Sequence, residues 1–270
     1  MRMDNNKLVV LLPAYNEEKD VEKLIERWEE EQECIKEHGL ELEITVINDG
    51  SHDKTQSICQ SLEQKYTNVH LINHEKNKGL GKAVETGFKY IVQNQPHCIY
   101  VCLMDCDNTQ NPKYIDAMLH KIEDSNINPD VIIASRYQKG AEVYGLAWHR
   151  RLMSQGARWV YSLFFHVKNV RDYTCGFRLY RASAINQAFQ MFGDCFIEQK
   201  GFTCMAEILY KLSCLNMKFA EIPFKLHYEE KGGASKMNVI KTVKDSFRLA
   251  IHLKKIKRKE FYGEKIMPLD

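Results

Sequence analysis

A chain of 270 residues that is 44% hydrophobic and 27% charged is long enough to bury a substantial core without disulfides or structural metals, and it reads as an ordinary soluble globular protein. A formal net charge of +2 gives no reason to expect nucleic acid as a partner, although residues 17–43 are strongly acidic and the run KKIKRK from Lys254 to Lys259 is basic. Nine cysteines, scattered and without a secretory signal before them, are expected to be reduced thiols in a cytoplasmic protein.

From Lys7 to Ala134 short β-branched runs alternate with amphipathic stretches. The runs KLVVLL (Lys7–Leu12), LEITVIN (Leu42–Asn48), VHLIN (Val69–Asn73), CIYVCLM (Cys98–Met104) and DVIIA (Asp130–Ala134) predict strands, with helices near residues 17–36, 53–66, 80–94 and 112–124. Near-continuous apolar strands separated by helices imply a mostly parallel sheet covered on both faces, a doubly wound α/β fold. Cys98, Cys102 and Cys106 lie along one such strand and its exit, so they read as small core residues and not as zinc ligands.

The second half is less regular. A helix near residues 149–166 leads through RDYTCG to a short strand FRLYR, helices near 182–191 and 202–215, a strand KFAEIPF and a closing helix from about 237. With no Pro/Gly/Ser linker and no internal repeat, residues 1–236 read as one domain whose α+β C-terminal part completes the site, followed by a helix and basic tail over 237–270. The longest apolar runs, such as WVYSLFF from Trp159 to Phe165, fall short of a bilayer span, so no transmembrane helix is expected.

Ligands in doubly wound folds bind beyond the carboxyl ends of the strands. There the sequence places Asp105 and Asp107, which in an extended chain point the same way. Unpaired, the two carboxylates repel; a divalent cation removes that cost, and oxygen-only ligation suits magnesium or manganese holding a diphosphate. An isolated D-x-D also arises by chance as a helix cap or polar loop. The other strand exits, PAYNEE, NDGSHDKT, HEKNKGLGKA and SRY, are polar and turn-forming at the same edge, which favours a nucleotide-sized site. A dinucleotide fingerprint is weak, because Val84 stands where GLGKAV needs a third glycine, and Gly81-Lys82-Ala83 lacks the Ser or Thr of a phosphate-binding loop. Lys78 and Lys82 read either as cover over phosphates or as surface lysines.

Taken together, LLPAYNE, INDGSHDKT, NKGLGKA, MDCDNTQNP, ASRY, WHRRLMSQGA, DYTCGFRLYR, MAEILYKL, EIPF and GGASKM run in order from residue 11 to about 237. This set resembles the inverting family 2 glycosyltransferases with the GT-A fold, most closely the dolichol-phosphate mannosyltransferase and polyprenyl-phosphate glycosyltransferase group. The resemblance implies transfer of a hexose from a nucleotide diphosphate sugar, of the GDP-mannose or UDP-glucose type, to a polyprenyl or dolichyl phosphate, with magnesium or manganese as cofactor. It also implies a cytoplasmic protein that touches a membrane peripherally or works with a separate membrane subunit.

Residue by residue, the resemblance implies that Pro13, Tyr15 and Glu17 line the nucleoside site and that Asp49 accepts from the base. Asn48 stands where the family more often has another acid. Lys78 and Lys82 then lie over the donor phosphates, and Ser235 and Lys236 sit in a loop that closes on them, with Glu230 where an arginine is usual. Asp105 and Asp107 become metal ligands with Gln110 as a third, although the dolichol-type glutamine falls at Thr109. Arg136, Arg150 and Ser154 grip the acceptor phosphate. Chemistry supports that last assignment independently: a lipid phosphate is already anionic, so it needs guanidinium donors and no general base. A soluble or cell-envelope glycan acceptor would need a base, for which Asp172 is the candidate, although it also reads as a turn residue. A non-catalytic nucleotide-sugar-binding protein is the alternative from another class. The helix after His149 puts Leu152, Gly156, Trp159, Val160, Leu163 and Phe164 on one side and Arg151, Gln155, Arg158 and Ser162 on the other, a pattern that suits either a membrane interface or packing on the sheet.

Overall fold

The computed structural model describes residues 6–124, 126–145, 156, 161–230, 246, 248, 249 and 251. In chain order the elements of the first half are β1 (Lys7–Ala14), α1 (Val21–Glu29), α2 (Gln32–Glu37), β2 (Glu41–Asn48), α3 (Thr55–Lys65), β3 (Val69–Asn73), α4 (Leu80–Asn94), β4 (Cys98–Leu103), α5 (Tyr114–Ile122) and β5 (Val131–Ser135). The second half contributes β6 (Glu142–Tyr144), β7 (Arg178–Arg181), α6 (Ala182–Phe192), α7 (Cys204–Cys214), β8 (Phe219–Pro223) and β9 (Lys225–His227).

Leu8 to Leu12 of β1 are fully buried, as a strand covered on both faces must be. Each such side chain removed from water contributes about 1.5–3 kcal/mol. The main sheet runs β3-β2-β1-β4-β7-β5-β8, parallel except for β7, which is antiparallel to both β4 and β5. The mostly parallel α/β arrangement is therefore as expected, but FRLYR is no appendage: it fills the sheet between two strands of the first half. Strands β6 and β9 form a separate parallel pair beside the carboxyl edge.

Helix α1 buries Val21, Leu24, Ile25 and Trp28, a stripe at helical spacing. The single helix expected over 17–36 is two, α1 and α2, with a break at Glu30 and Glu31. The run from Glu29 to Glu33 stacks like charges one turn apart, which disfavours continuing the helix. Helices α4, α6 and α7 pack on one another, and α2 packs on α5. Gly87 lets α4 lie directly on the sheet, because a Cβ there would come within 2.2 Å of a Leu11 methyl. All nine cysteines are free thiols, and Cys98, Cys102 and Cys106 are buried core residues as read. Among the described residues no helix is long and apolar enough to cross a membrane.

Candidate active site

The loops leaving the carboxyl edge are fastened to one another in sequence. After β1, the Asn16 backbone adopts the left-handed conformation that asparagine tolerates, with φ 54°. Its amide donates to Ser51 Oγ and its side-chain oxygen accepts from the His52 amide. Glu17 donates its amide to Thr55 Oγ1, and Glu18 and Lys54 complete reciprocal bonds with the opposite loop through Asp53 and the Glu18 carboxylate. The next lock is Asp49, whose carboxylate accepts from the amides of Lys78 (2.9 Å) and Gly79 (2.8 Å) and pairs with His74 Nδ1 at 2.7 Å. Gly50 beside it has φ 66° and meets the Lys76 backbone so closely that a Cβ would lie 2.4 Å away.

The acidic pair sits on the loop after β4, with both residues half-buried. Each acid has its own clamp. Gln110 donates its amide to Asp105 Oδ2 at 2.8 Å and accepts from the Asp105 backbone, while Thr109 bonds Asp107 Oδ1 through its hydroxyl at 2.6 Å and its amide. Asn108 between them is again left-handed and ties this loop to Asp20 of the first loop. The Gly176 backbone lies against Asp105, so that a Cβ there would stand 2.8 Å from its Oδ1. Two adjacent carboxylates with oxygen-bearing neighbours form a donor set that fits a hard divalent cation.

The loops after β5 and before β7 bring in the positive charge. Arg136 grips Asp172 with a two-pronged contact, Nε to Oδ2 at 2.8 Å and Nη2 to Oδ1 at 2.7 Å, and Nη2 also reaches Thr174 Oγ1 at 2.6 Å. The Asp172 carboxylate accepts further bonds from the amides of Arg136, Thr174 and Cys175 and is fully buried. Burial alone would push its carboxyl up, but the Arg136 guanidinium and these hydrogen bonds hold it below the usual carboxylate range. Beneath them Arg178, also fully buried, donates to the carbonyls of Cys175, Tyr173 and Met205 and so holds the loop's backbone. Thr174, which bonds Arg136, and Gly176, which lies against Asp105, stand two residues apart on this loop and bring the two charge groups together, with Tyr228 beside them. Burial pushes its phenol up, Arg136 opposes that, and Asp105 and Asp107 add to it.

Set against expectation, Pro13 lies within β1 opposite Ile47, and Tyr15 meets the His52 ring edge-on at 6.4 Å. Pro13, Tyr15 and Glu17 are half-buried along the same loop. Asp49, implied to accept from the base, is 3% exposed, and its carboxylate accepts from the Lys78 and Gly79 amides and pairs with His74. Gln110, expected as a ligand, bonds Asp105 through both ends of its amide. Lys78 is exposed, and Lys82 pairs with Glu85 at 2.7 Å. Glu230, at the position where an arginine is usual, pairs with Arg27 of α1 at 3.4 Å. Arg150, Ser154, Ser235 and Lys236 lie outside the described residues, as does most of the helix expected over 149–166. Sequence reasoning missed Thr174, Gly176 and Tyr228. The first two flank a cysteine inside the quoted segment DYTCG, whereas Tyr228 carries no local signal.

Residues 9–189 match the family model for Glycosyl transferase family 2. The chain is 30% identical over 227 residues to a dolichol-phosphate mannosyltransferase of Pyrococcus furiosus, covering 84% of this chain and 58% of that protein. It is 28% identical over 253 residues to dolichyl-phosphate beta-glucosyltransferase ALG5A of Trichomonas vaginalis, covering 90% of this chain and 73% of that one. The chain thus spans little more than half the length of the mannosyltransferase. Among solved structures it resembles mannosyltransferase PcManGT from Pyrobaculum calidifontis in complex with GDP-Man and Mn2+, with a TM-score of 0.52 at 12% identity, over 81% of this chain and 55% of the other; likeness at that level speaks for the fold. With the sheet order, the fastened loops and a family match over residues 9–189, the chain belongs to glycosyl transferase family 2 and has the GT-A fold.

Proposed function

We propose that this protein is a metal-dependent, inverting glycosyltransferase that moves a hexose from a nucleoside diphosphate sugar to a polyprenyl phosphate. The observation that carries the proposal is the loop from Asp172 to Gly176, which holds Arg136 through Asp172 and Thr174 and lies against Asp105 at Gly176. Asp105 and Asp107 would hold magnesium or manganese, and Gln110 and Thr109 keep those carboxylates aimed. When bound, the cation would neutralise the charge that develops on the departing nucleoside diphosphate. Pro13, Tyr15 and Glu17 line the loop offered to the nucleoside, and the exposed Lys78 and Lys82 stand at the loop offered to the diphosphate. Among the described residues Arg136 bonds through Nε and Nη2 to Asp172 and Thr174, which leaves Nη1 to offer to an anion. That suits an acceptor phosphate, which arrives without a proton to lose and needs only to be desolvated and aimed at the anomeric carbon. Arg150 and Ser154 share that grip, and Ser235 and Lys236 close over the donor. Attack from the face opposite the leaving group inverts the configuration.

Asp172 supports the lipid-phosphate acceptor over a hydroxyl one. A general base needs a lone pair aimed at the nucleophile and a pKa near the working pH. This carboxyl is buried, saturated with donors and held low. The relatives that act on dolichol phosphate and the Mn2+ in a related fold support the same reading. Peripheral membrane contact is supported by the helical residues 161–165, where Tyr161 and Phe165 are buried while Leu163 is 79% exposed. The test is nucleoside diphosphate release with GDP-mannose and UDP-glucose, each against polyprenyl phosphate and soluble glycans. Release that depends on polyprenyl phosphate and on the cation is expected. Release with soluble glycans alone refutes the acceptor, and binding without turnover in any combination refutes the enzyme.

A further inference from the structure

A second cluster of ligating side chains lies where α2 packs on α5, on residues that the transfer chemistry does not use. Cys34 of α2 and His38 at its C-terminal end are one helical turn apart, as are Asp116 and His120 of α5, so each helix presents a pair on one face. Three of these atoms surround the fourth: Asp116 Oδ1 lies 3.6 Å from Cys34 Sγ, 3.2 Å from His38 Nε2 and 3.5 Å from His120 Nε2. A tetrahedral zinc ion with ordinary Zn–S, Zn–N and Zn–O bonds of about 2.0–2.3 Å spaces its ligand atoms about 3.3–3.7 Å apart. The ligand atoms of Cys34, His38 and Asp116 lie within 4.8 Å of one another, and the exposed His120, 3.5 Å from the same carboxylate oxygen, stands beside them as the fourth.

The surroundings also fit. His38 Nδ1 lies 3.2 Å from Glu123 Oε2, the carboxylate–histidine arrangement that fixes tautomer and ring direction in metal centres. The His38 side chain is only 7% exposed, whereas that of His120 is 71% exposed, so the cluster has a fixed floor and an entry from solvent. One thiol, two imidazoles and one carboxylate form a borderline-soft set that selects zinc-like ions over magnesium or calcium.

We propose that Cys34, His38, Asp116 and His120 form a structural zinc-type site that clamps α2 to α5, with Glu123 as the partner that orients His38. Binding exchanges the Cys34 proton for the cation, the proton leaving to solvent. The site is independent of the proposed glycosyl transfer and differs in kind from the oxygen-only pair at Asp105 and Asp107.

The test is cobalt titration of the metal-free full chain in excess magnesium, followed by zinc competition. One cobalt per chain is expected, with a thiolate-to-cobalt absorption band that zinc abolishes. The band should vanish in Cys34→Ser and persist in Asp107→Asn. His120→Gln changes an exposed residue and should leave the fold intact while weakening cobalt at least about tenfold, the scale of losing one supporting contact at a metal centre. Absence of the band in the native chain overturns the proposal. So does a band that survives in Cys34→Ser, which would mean that another cysteine binds, or unchanged affinity in His120→Gln. If Cys34→Ser does not fold, the His120→Gln comparison still decides.

Discussion

The two ends of the carboxyl edge are held together by different physics. Around β1, β2 and β3 the loops are tied by hydrogen bonds between backbone amides and short polar side chains such as Asn16, Asp53 and Thr55, most of them half-exposed. Around β5 and β7 the loops are tied by charges inside the protein: Arg136 with Asp172, Arg178 with three carbonyls, and Lys211 with Glu207, Glu198 and the Cys195 carbonyl. Bonds of the first kind each contribute about 0.5–1.5 kcal/mol and fail singly. Removing one partner of a buried ion pair strands the other charge and costs about 3–5 kcal/mol. The first edge should therefore degrade gradually under mutation, and the second should break abruptly.

The largest effect is expected at the acidic pair between the two edges. Asp107→Asn removes a proposed anionic ligand from a half-exposed loop, so transfer should fall on the order of a thousandfold while the thermal midpoint hardly moves, which paired rate and melting measurements will check. Asp172→Asn should do the reverse in stability, costing about 3 kcal/mol or more in urea unfolding because the Arg136 charge is left buried without its partner. Its effect on transfer distinguishes holder from base. Loss of a holder lowers the rate evenly across pH, whereas loss of a base removes the acid limb of the pH–rate profile.

Smaller effects sharpen the contrast. Gly81 packs on the loop before α7, and a Cβ there would lie 1.8 Å from the Gln199 carbonyl oxygen. Gly81→Ala must push backbone against backbone and should cost about 1–3 kcal/mol, read as a lowered thermal midpoint. Asp53→Ala, which removes a capping carboxylate on the first edge, should cost only about 1 kcal/mol at neutral pH.

The pH dependence completes the comparison. Burial raises the Asp53 carboxyl, but hydrogen bonds from Thr55 and from the Thr55 and Glu18 amides hold it below its ordinary value; Asp172 is lowered in the same sense by Arg136. A carboxyl with a depressed folded pKa contributes stability above its unfolded value, about 3.9 for aspartate, and loses it as pH falls through the lower folded value. The thermal midpoint should hold its Asp53 and Asp172 contributions at pH 5 and lose them below about pH 4. The acid loss should be smaller in both Asp53→Ala and Asp172→Asn than in the native chain; equal acid slopes in all three proteins would remove both carboxylates from the account.

What the sequence determined by itself is what neighbouring residues encode together. Short, near-continuous apolar runs gave the strands of the first half within a residue or two, and the amphipathic stretches near 53–66, 80–94 and 112–124 placed α3, α4 and α5. Asp105 and Asp107, one residue apart at a strand end, marked the candidate site. Tertiary structure decided every choice of partner across the chain. Nothing near Arg136 announces that Asp172, 36 positions on, will be its counterion, and nothing near Asp49 says that its carboxylate will be spent on Lys78 and Gly79. Nothing in the short segment Arg178–Arg181 announces that β7 will lie between β4 and β5 and run antiparallel to both. Cys34 lies 82 positions from Asp116, so their meeting follows from how α2 packs on α5. Secondary structure is a property of local spacing, whereas a buried charge takes whichever opposite charge the completed fold brings within reach, because in the interior no water is there to stand in for it.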